Sequence, residues 1–374
     1  MTVRSTVVCL TAFALLGLTA CTSDPDAPAA DDAVITVTAN ETACQVSRTD
    51  SPAGTVTFRI ANTGTKVTEF YLYAEGDRVM GEVENITPGL TRELTVGLPP
   101  GDYQTSCRPG MTGTGIRAAF SATGSAPPVN DDAKLTAATD SYHRYVISQS
   151  DALLTRTTEF AAAVKAGDTA RAKALYPVSR TYFERIEPVA SSFGDLDPKI
   201  DGRADVIAEG MAFTGYHRLE RDLWTGRSLA ADGPIADQLV ADVTELVARV
   251  KGLELTPLQL ANGAKSLLDE IATGKITGEE ERYSYTDLWD FQANLEGSRA
   301  AIQALRPALQ DRAPDLVVAL DERFAVAQDT LAEHAVGDGW KLHPQLTQVE
   351  LRELSDAVNA LAEPVSKVAA AVAR

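Results

Sequence analysis

The chain changes its hydrophobic period part-way along, and no single fold class accommodates both halves. From Val34 to Ala122 apolar and polar residues alternate, as in Val34-Ile35-Thr36-Val37-Thr38 and Gly54-Thr55-Val56-Thr57-Phe58-Arg59-Ile60. Further strand-like runs cover residues 70–73, 91–96, 101–107 and 116–121, with turns at Asn62-Thr63-Gly64, Pro88-Gly89 and Pro99-Pro100-Gly101. About seven short strands at this spacing predict a β-sandwich. Residues 123–133 are rich in Ser, Ala, Pro and Asp and read as a linker. Beyond it, residues 134–374 turn to Ala, Leu, Glu and Arg at a helical period. Helices are expected near 134–166, 169–190, 203–226, 232–251, 257–273, 286–305, 314–334 and 347–372. Thr256-Pro257 with Gln259, and Thr347 with Glu350, are capping boxes that start two of them. The expected architecture is a small all-β sandwich at 34–122 followed by an all-α helical bundle.

The N-terminus points outside the cytoplasm. Arg4 precedes an apolar run, Val7 to Leu18, that is too short to span a bilayer and ends in Leu18-Thr19-Ala20-Cys21. This reads as a signal peptide over 1–20. Its end resembles a bacterial lipobox, in which Cys21 becomes the lipidated first residue, and residues 21–33 read as a tether. Export to a compartment that permits disulfides leaves Cys44 and Cys107 as one available pair. Removing the leader takes Arg4 from the 34 basic residues and leaves 33 against 52 acidic ones, a net −19. Such acidity argues against nucleic acid and anionic lipid surfaces as partners and suits attraction of cations.

Residues 215–220 read Gly-Tyr-His-Arg-Leu-Glu. The stripe Val206, Gly210, Phe213, His217, Glu220, Trp224 has the spacing of a buried helix seam, so His217 and Glu220 occupy positions where apolar side chains belong. A buried carboxylate needs compensation, from a bound metal ion or from a hydrogen-bonding Tyr or Arg. Three residues apart on one face, the two side chains can chelate a single ion. One imidazole nitrogen with carboxylate oxygens suits iron, zinc or manganese better than copper(I). Two ligands are too few, and Asp287, flanking the stripe Leu288, Phe291, Leu295, Ile302, is a candidate third. Glu184 and Glu187 form another i, i+3 pair, which the stripe Leu175, Tyr182, Ile186, Val189 places toward solvent. His143, His334 and His343 are weaker candidates, His334 as a helix C-terminal cap.

In the β domain, Phe58-Arg59-Ile60-Ala61-Asn62-Thr63-Gly64 and Tyr103-Gln104-Thr105-Ser106-Cys107-Arg108-Pro109-Gly110-Met111 resemble the cupredoxin family. Glu69 falls about where that family carries its first copper histidine. The domain contains no histidine, which excludes a His₂Cys copper centre. Cys44, Glu69, Cys107 and Met111 remain. The two cysteines either form a disulfide, as exported thiols tend to, or join Glu69 in a metal site, as the resemblance suggests.

Three segments of the helical part carry a second resemblance: residues 175–188 (Leu-Tyr-Pro-Val-Ser-Arg-Thr-Tyr-Phe-Glu-Arg-Ile-Glu-Pro), 217–224 (His-Arg-Leu-Glu-Arg-Asp-Leu-Trp) and 283–297 (Tyr-Ser-Tyr-Thr-Asp-Leu-Trp-Asp-Phe-Gln-Ala-Asn-Leu-Glu-Gly). With Gly-x-His-x-x-Glu in an exported helical domain, they resemble the imelysin, or M75 peptidase-like, family. The order of cupredoxin-like and imelysin-like domains is similar to the EfeO-type iron-uptake lipoproteins. That resemblance implies capture of iron, Fe(II) or Fe(III), at the His-x-x-Glu pair, with Glu184 as a further ligand from its place in the first segment. It also implies two partners, an iron permease of the EfeU type and a secreted haem peroxidase of the EfeB type. Zinc or copper are the alternative metals. The competing function is a metal-dependent peptidase. His-Glu-x-x-His, its inverse and Gly-x-Ser-x-Gly are all absent, and Glu220 cannot be both ligand and base. A binding protein is therefore expected, with iron oxidation at the β domain as a subsidiary role.

Overall fold

The computed structural model describes residues 34–124, 132–205, 207 and 211–373. The leader, Cys21 and the tether lie outside the described residues, as does most of the linker. Among the described residues no helix is long and apolar enough to cross a membrane.

Nine strands form the β domain: β1 (Val34–Ala39), β2 (Cys44–Val46), β3 (Asp50–Pro52), β4 (Gly54–Asn62), β5 (Thr68–Ala74), β6 (Arg78–Ile86), β7 (Thr91–Leu98), β8 (Gly101–Cys107) and β9 (Ile116–Thr123). They make two sheets, ordered β2-β1-β4-β7 and β3-β9-β8-β5-β6. Alternation sends Ile35, Val37, Phe58 and Ile60 inward, where Phe58 packs 5.3 Å from the rings of both Phe70 and Phe120. Cys44 and Cys107 are disulfide-bonded, with Cα atoms 5.5 Å apart, and this ties β2 of one sheet to the end of β8 in the other. Of the two readings open for these cysteines, the structure has the disulfide.

β6 was not expected from the sequence. Its Arg78, Glu82 and Glu84 break the apolar alternation, and its place explains them: it is the outer edge of the five-stranded sheet, beside the edge strand β7 of the other. Edge strands need covering, and here the helical domain covers them. Val79 N–H donates to the Ser192 carbonyl at 3.1 Å, and Asn262 Nδ2 donates to the Thr95 carbonyl at 2.8 Å.

The helical domain contains α1 (Ala133–Lys165), α2 (Thr169–Glu184), α3 (Glu187–Ala190), α4 (Asp197–Ile200), α5 (Gly215–Trp224), α6 (Gly233–Lys251), α7 (Pro257–Glu270), α8 (Asp287–Arg312), α9 (Pro314–Ala332), α10 (Gln348–Val365) and α11 (Val368–Val372). They enclose one continuous apolar core. Both capping boxes are present, at Thr256/Gln259 and Thr347/Glu350. Three expected helices differ. The helix expected over 347–372 is broken at Ser366 and Lys367, which separates α10 from α11. The helix expected over 169–190 is interrupted at Arg185 and Ile186, and Glu187-Pro188 begins a separate turn. The helix expected over 203–226 begins only at Gly215. Phe213 therefore precedes it, and Val206 and Gly210 lie outside the described residues.

Candidate metal centre

Helix α5 starts where it does because a backbone approach fixes Gly215. Its φ is +75°, and a Cβ there would stand 2.2 Å from the Ile200 carbonyl oxygen, so no side chain fits against the end of α4. From that anchor His217 and Glu220 point inward and are 2% and 1% exposed. Behind them the rings of Phe160, Tyr176, Tyr216 and Trp224 pack on one another.

His217 presents its two nitrogens to two pairs of carboxylates. Nδ1 lies 3.3 Å from Glu220 Oε2, and Nε2 lies 3.4 Å from Glu280 Oε1 and 3.7 Å from Asp201 Oδ1. The groups Asp201/His217/Glu280 and His217/Glu220/Glu281 each have one ligand atom per residue within 4.8 Å of the others. Ligand atoms around a tetrahedral or octahedral first-row cation stand roughly 3–4 Å apart, so a small contraction would close either group on an ion. The donor set, one imidazole nitrogen and carboxylate oxygens, fits such a cation.

The loop between α7 and α8 supplies Glu280 and Glu281 and also holds Glu220. Glu220 Oε1 accepts from the N–H groups of Tyr283 (2.9 Å) and Ser284 (2.7 Å). Glu281 Oε2 accepts from Ser284 Oγ at 2.7 Å, and its Oε1 accepts from the Tyr176 hydroxyl at 3.2 Å. Two buried cations complete the cluster. Arg180 pairs with Glu184 and Asp201, with Glu281 at 2.6 Å, with Asp290 at 3.4 Å and with Glu280 at 3.8 Å. α7 ends in a π turn, Ile271–Lys275, a device that recurs at functional sites. It places Lys275 Nζ 3.3 Å from Glu184 and 3.4 Å from Glu280.

These neighbours decide which groups are charged. Burial would raise Glu280, but Lys275, His217 and Arg203 outweigh it and hold its carboxyl well below the usual range. Burial is likewise overcome at Glu281 by Arg180, His217 and Ser284. Burial and the Arg180 charge oppose protonation of His217, yet hydrogen bonds to Glu220 and Glu280 push its pKa up to about 9. Arg180 Nη1 also lies 3.2 Å from His217 Nε2.

Of the residues singled out in the sequence, His217 and Glu220 are brought together, while Glu184 and Asp287 stand one step further out. Glu184 is fully buried, against the expectation from its stripe. It pairs with Arg180 and Lys275 and accepts from Asn294 at 3.0 Å. Asp287 accepts the Glu281 N–H at 3.2 Å, and burial followed by the Glu281 charge pushes it up to about 7. Asp201, Glu280 and Glu281 were missed: Asp201 sits in an Asp-Gly turn, and 279–282 is a charge run that reads as solvated. The one available signal was that this run adjoins the family-like segment at 283. His143 and His343 are engaged elsewhere, by the carbonyls of Val250 (2.8 Å) and Ile276 (2.9 Å).

Asp201 and Glu280 border a cavity of about 570 Å³ that reaches the β domain, where Glu69, Tyr71, Glu82 and Glu84 form its wall. Glu69 pairs with Arg108 at 3.2 Å and accepts from the Tyr71 hydroxyl at 3.2 Å. With both sulfurs in the disulfide, Cys44 and Cys107 offer no thiolate, so Glu69 is left without the soft partners the thiolate reading required. Burial and then the charges of Glu69 and Glu270 push Glu82 up to about 8.

The imelysin profile matches residues 138–368. The chain belongs to the imelysin family. A cupredoxin-like domain profile matches residues 9–116, so the chain joins the two modules in the EfeO order. It is 38% identical over 347 residues to an iron uptake system component EfeO of Escherichia coli O157:H7, covering 91% of this chain and 92% of that one. The protein of the same name from Shigella flexneri is 37% identical over the same shares. His217 and Glu220 lie inside the matched imelysin segment, as do Arg180, Asp201, Glu280 and Glu281.

Proposed function

We propose that this imelysin-family protein captures iron outside the cytoplasmic membrane and delivers it to a membrane permease. The carrying observation is a single buried histidine set between two pairs of carboxylates, one pair bordering a wide cavity. Iron enters through the cavity, meets Asp201 and Glu280, and is held by His217 with them or with Glu220 and Glu281. Hard oxygen donors with one imidazole suit Fe(II) and Fe(III), and also zinc. The names of the relatives, iron uptake system components, support iron as the cargo.

Lipidation of Cys21 would keep the protein at the outer face of the membrane. A permease of the EfeU type and a haem peroxidase of the EfeB type are the partners proposed. Each carboxylate around His217 is engaged by Arg180, Lys275, a hydroxyl or a backbone N–H. None stands free as a general base, which supports binding over peptide hydrolysis.

The test is uptake of radiolabelled iron by cells whose own copy is replaced with His217→Ala. The proposal expects uptake to fall to the level of cells lacking the protein. Uptake at the wild-type rate would remove it.

A further inference from the structure

The metal centre already contains a cation. The Arg180 side chain is completely buried, and its guanidinium reaches both groups around His217. Nη1 pairs with Asp201 and lies 3.2 Å from His217 Nε2, Nη2 lies 3.8 Å from Glu280, and Nε lies 2.6 Å from Glu281. An ion bound to Nε2 at the usual distance of about 2.1 Å could not share that space with Nη1. Arginine stays charged in any protein environment, so it cannot leave by losing a proton; it has to move.

A place to retain it is built in. Nη2 also pairs with Glu184 and lies 3.4 Å from Asp290, and neither residue belongs to the groups around His217. Asn294 Nδ2 holds Glu184 from the far side at 3.0 Å. Glu184 and Asp290 can keep the guanidinium paired after it gives up Asp201 and Glu280, so the move leaves no buried charge unpaired.

We propose that Arg180 is the resident counter-cation of the metal centre: it holds Asp201, Glu280 and Glu281 in place without an ion, and it yields Asp201 and Glu280 when an ion binds. This rests on the reading of the His217 centre as a metal site. Competition from Arg180 lowers affinity and speeds release, which a protein that must hand its ion on requires. It also makes Glu184 and Asp290 positioning residues for Arg180 rather than ligands.

The full exported chain is titrated calorimetrically with Fe(II) under anaerobic conditions and with Zn(II). Wild type is compared with Arg180→Met, Arg180→Lys and Arg185→Met. Arg185, just past the end of α2, pairs with Glu296 at 2.6 Å and belongs to neither group around His217. It therefore controls for simple loss of positive charge. Arg180→Met is expected to bind about tenfold tighter or more and to release Zn(II) to a chelator correspondingly more slowly, with Arg185→Met changing affinity by less than about threefold. Arg180→Met that binds no tighter than wild type, or Arg185→Met that gains as much, overturns the proposal. If Arg180→Met does not fold, Arg180→Lys decides. It keeps the charge but loses the fork, so tighter binding and an altered visible spectrum of bound Co(II) support the proposal, and wild-type values for both overturn it. Wild type that binds neither ion would instead overturn the metal reading itself.

Discussion

In the helical domain Glu280 and Glu281 are held below the usual carboxylate range, while across the cavity Glu69, Glu82 and Glu84 are pushed above it. Burial acts in the same direction on both sets. The difference lies in the company each keeps. Around His217, Glu280 and Glu281 face Arg180, Lys275 and Arg203, whereas Glu220, raised by burial and the Glu281 charge, has His217 and two backbone N–H groups instead. On the sandwich wall Glu69 has Arg108, whereas Glu82 and Glu84 face chiefly each other, Glu69 and Glu270. Built-in cations keep Glu280 and Glu281 ionised; on the sandwich wall, protons take that place. A cluster of acids is therefore not a metal site by number alone. What matters is whether the protein keeps the acids charged without the ion.

Several substitutions can break this comparison. If the sandwich wall used its sulfurs for metal, Cys44→Ser/Cys107→Ser would change iron binding. We expect instead a loss of stability of about 4 kcal/mol from opening a bridge between residues 63 apart, measured by urea unfolding, with iron affinity unchanged. Gly215→Ala places a Cβ against the Ile200 carbonyl. It should cost about 3 kcal/mol and weaken metal binding together with it, because α5 carries His217. Asp201→Asn/Glu280→Gln should weaken iron binding by about 100-fold, with Glu82→Gln/Glu84→Gln changing it by less than about threefold. Equal losses in the two pairs would erase the distinction between the sides.

A further effect is on pH dependence. Glu82 ionises near 8 in the folded chain against 4.5 unfolded. Its contribution to stability is present in full below about 4.5 and is lost as pH rises through 8. Asp197, raised by burial and then by Glu184 to about 6 from 3.8, acts in the same sense over a lower window. The metal-free protein should therefore lose stability between pH 5 and 8, and Glu82→Gln should make that slope shallower. An unchanged slope would show that Glu82 does not carry it.

The sequence made the two-domain order legible, because a change of period survives any detail of packing. It also singled out His217 and Glu220, which the fold buries side by side, since two polar residues on an apolar seam demand compensation. It did not give the rest of the centre, for two physical reasons. Glu280 and Glu281 look like a solvated charge run until the fold lays Arg180 beside them, and pairing over about a hundred residues leaves no local pattern; Lys275, close in sequence, is turned toward Glu280 by the π turn. β6 was hidden by Glu82 and Glu84, which face a cavity that exists only once the two domains meet. Glu184 shows the same limit: its helix stripe put it outside, but the side chain meets Lys275 and Asn294 from two other elements.

The central claim is that His217 and Glu220 anchor a metal centre that binds iron. Anaerobic calorimetric titration with Fe(II) of wild type and His217→Ala/Glu220→Ala, both checked for an intact fold by thermal unfolding, tests it most directly. One tight site in wild type and none in the double variant is the predicted result. Equal affinity in the two proteins would contradict the account.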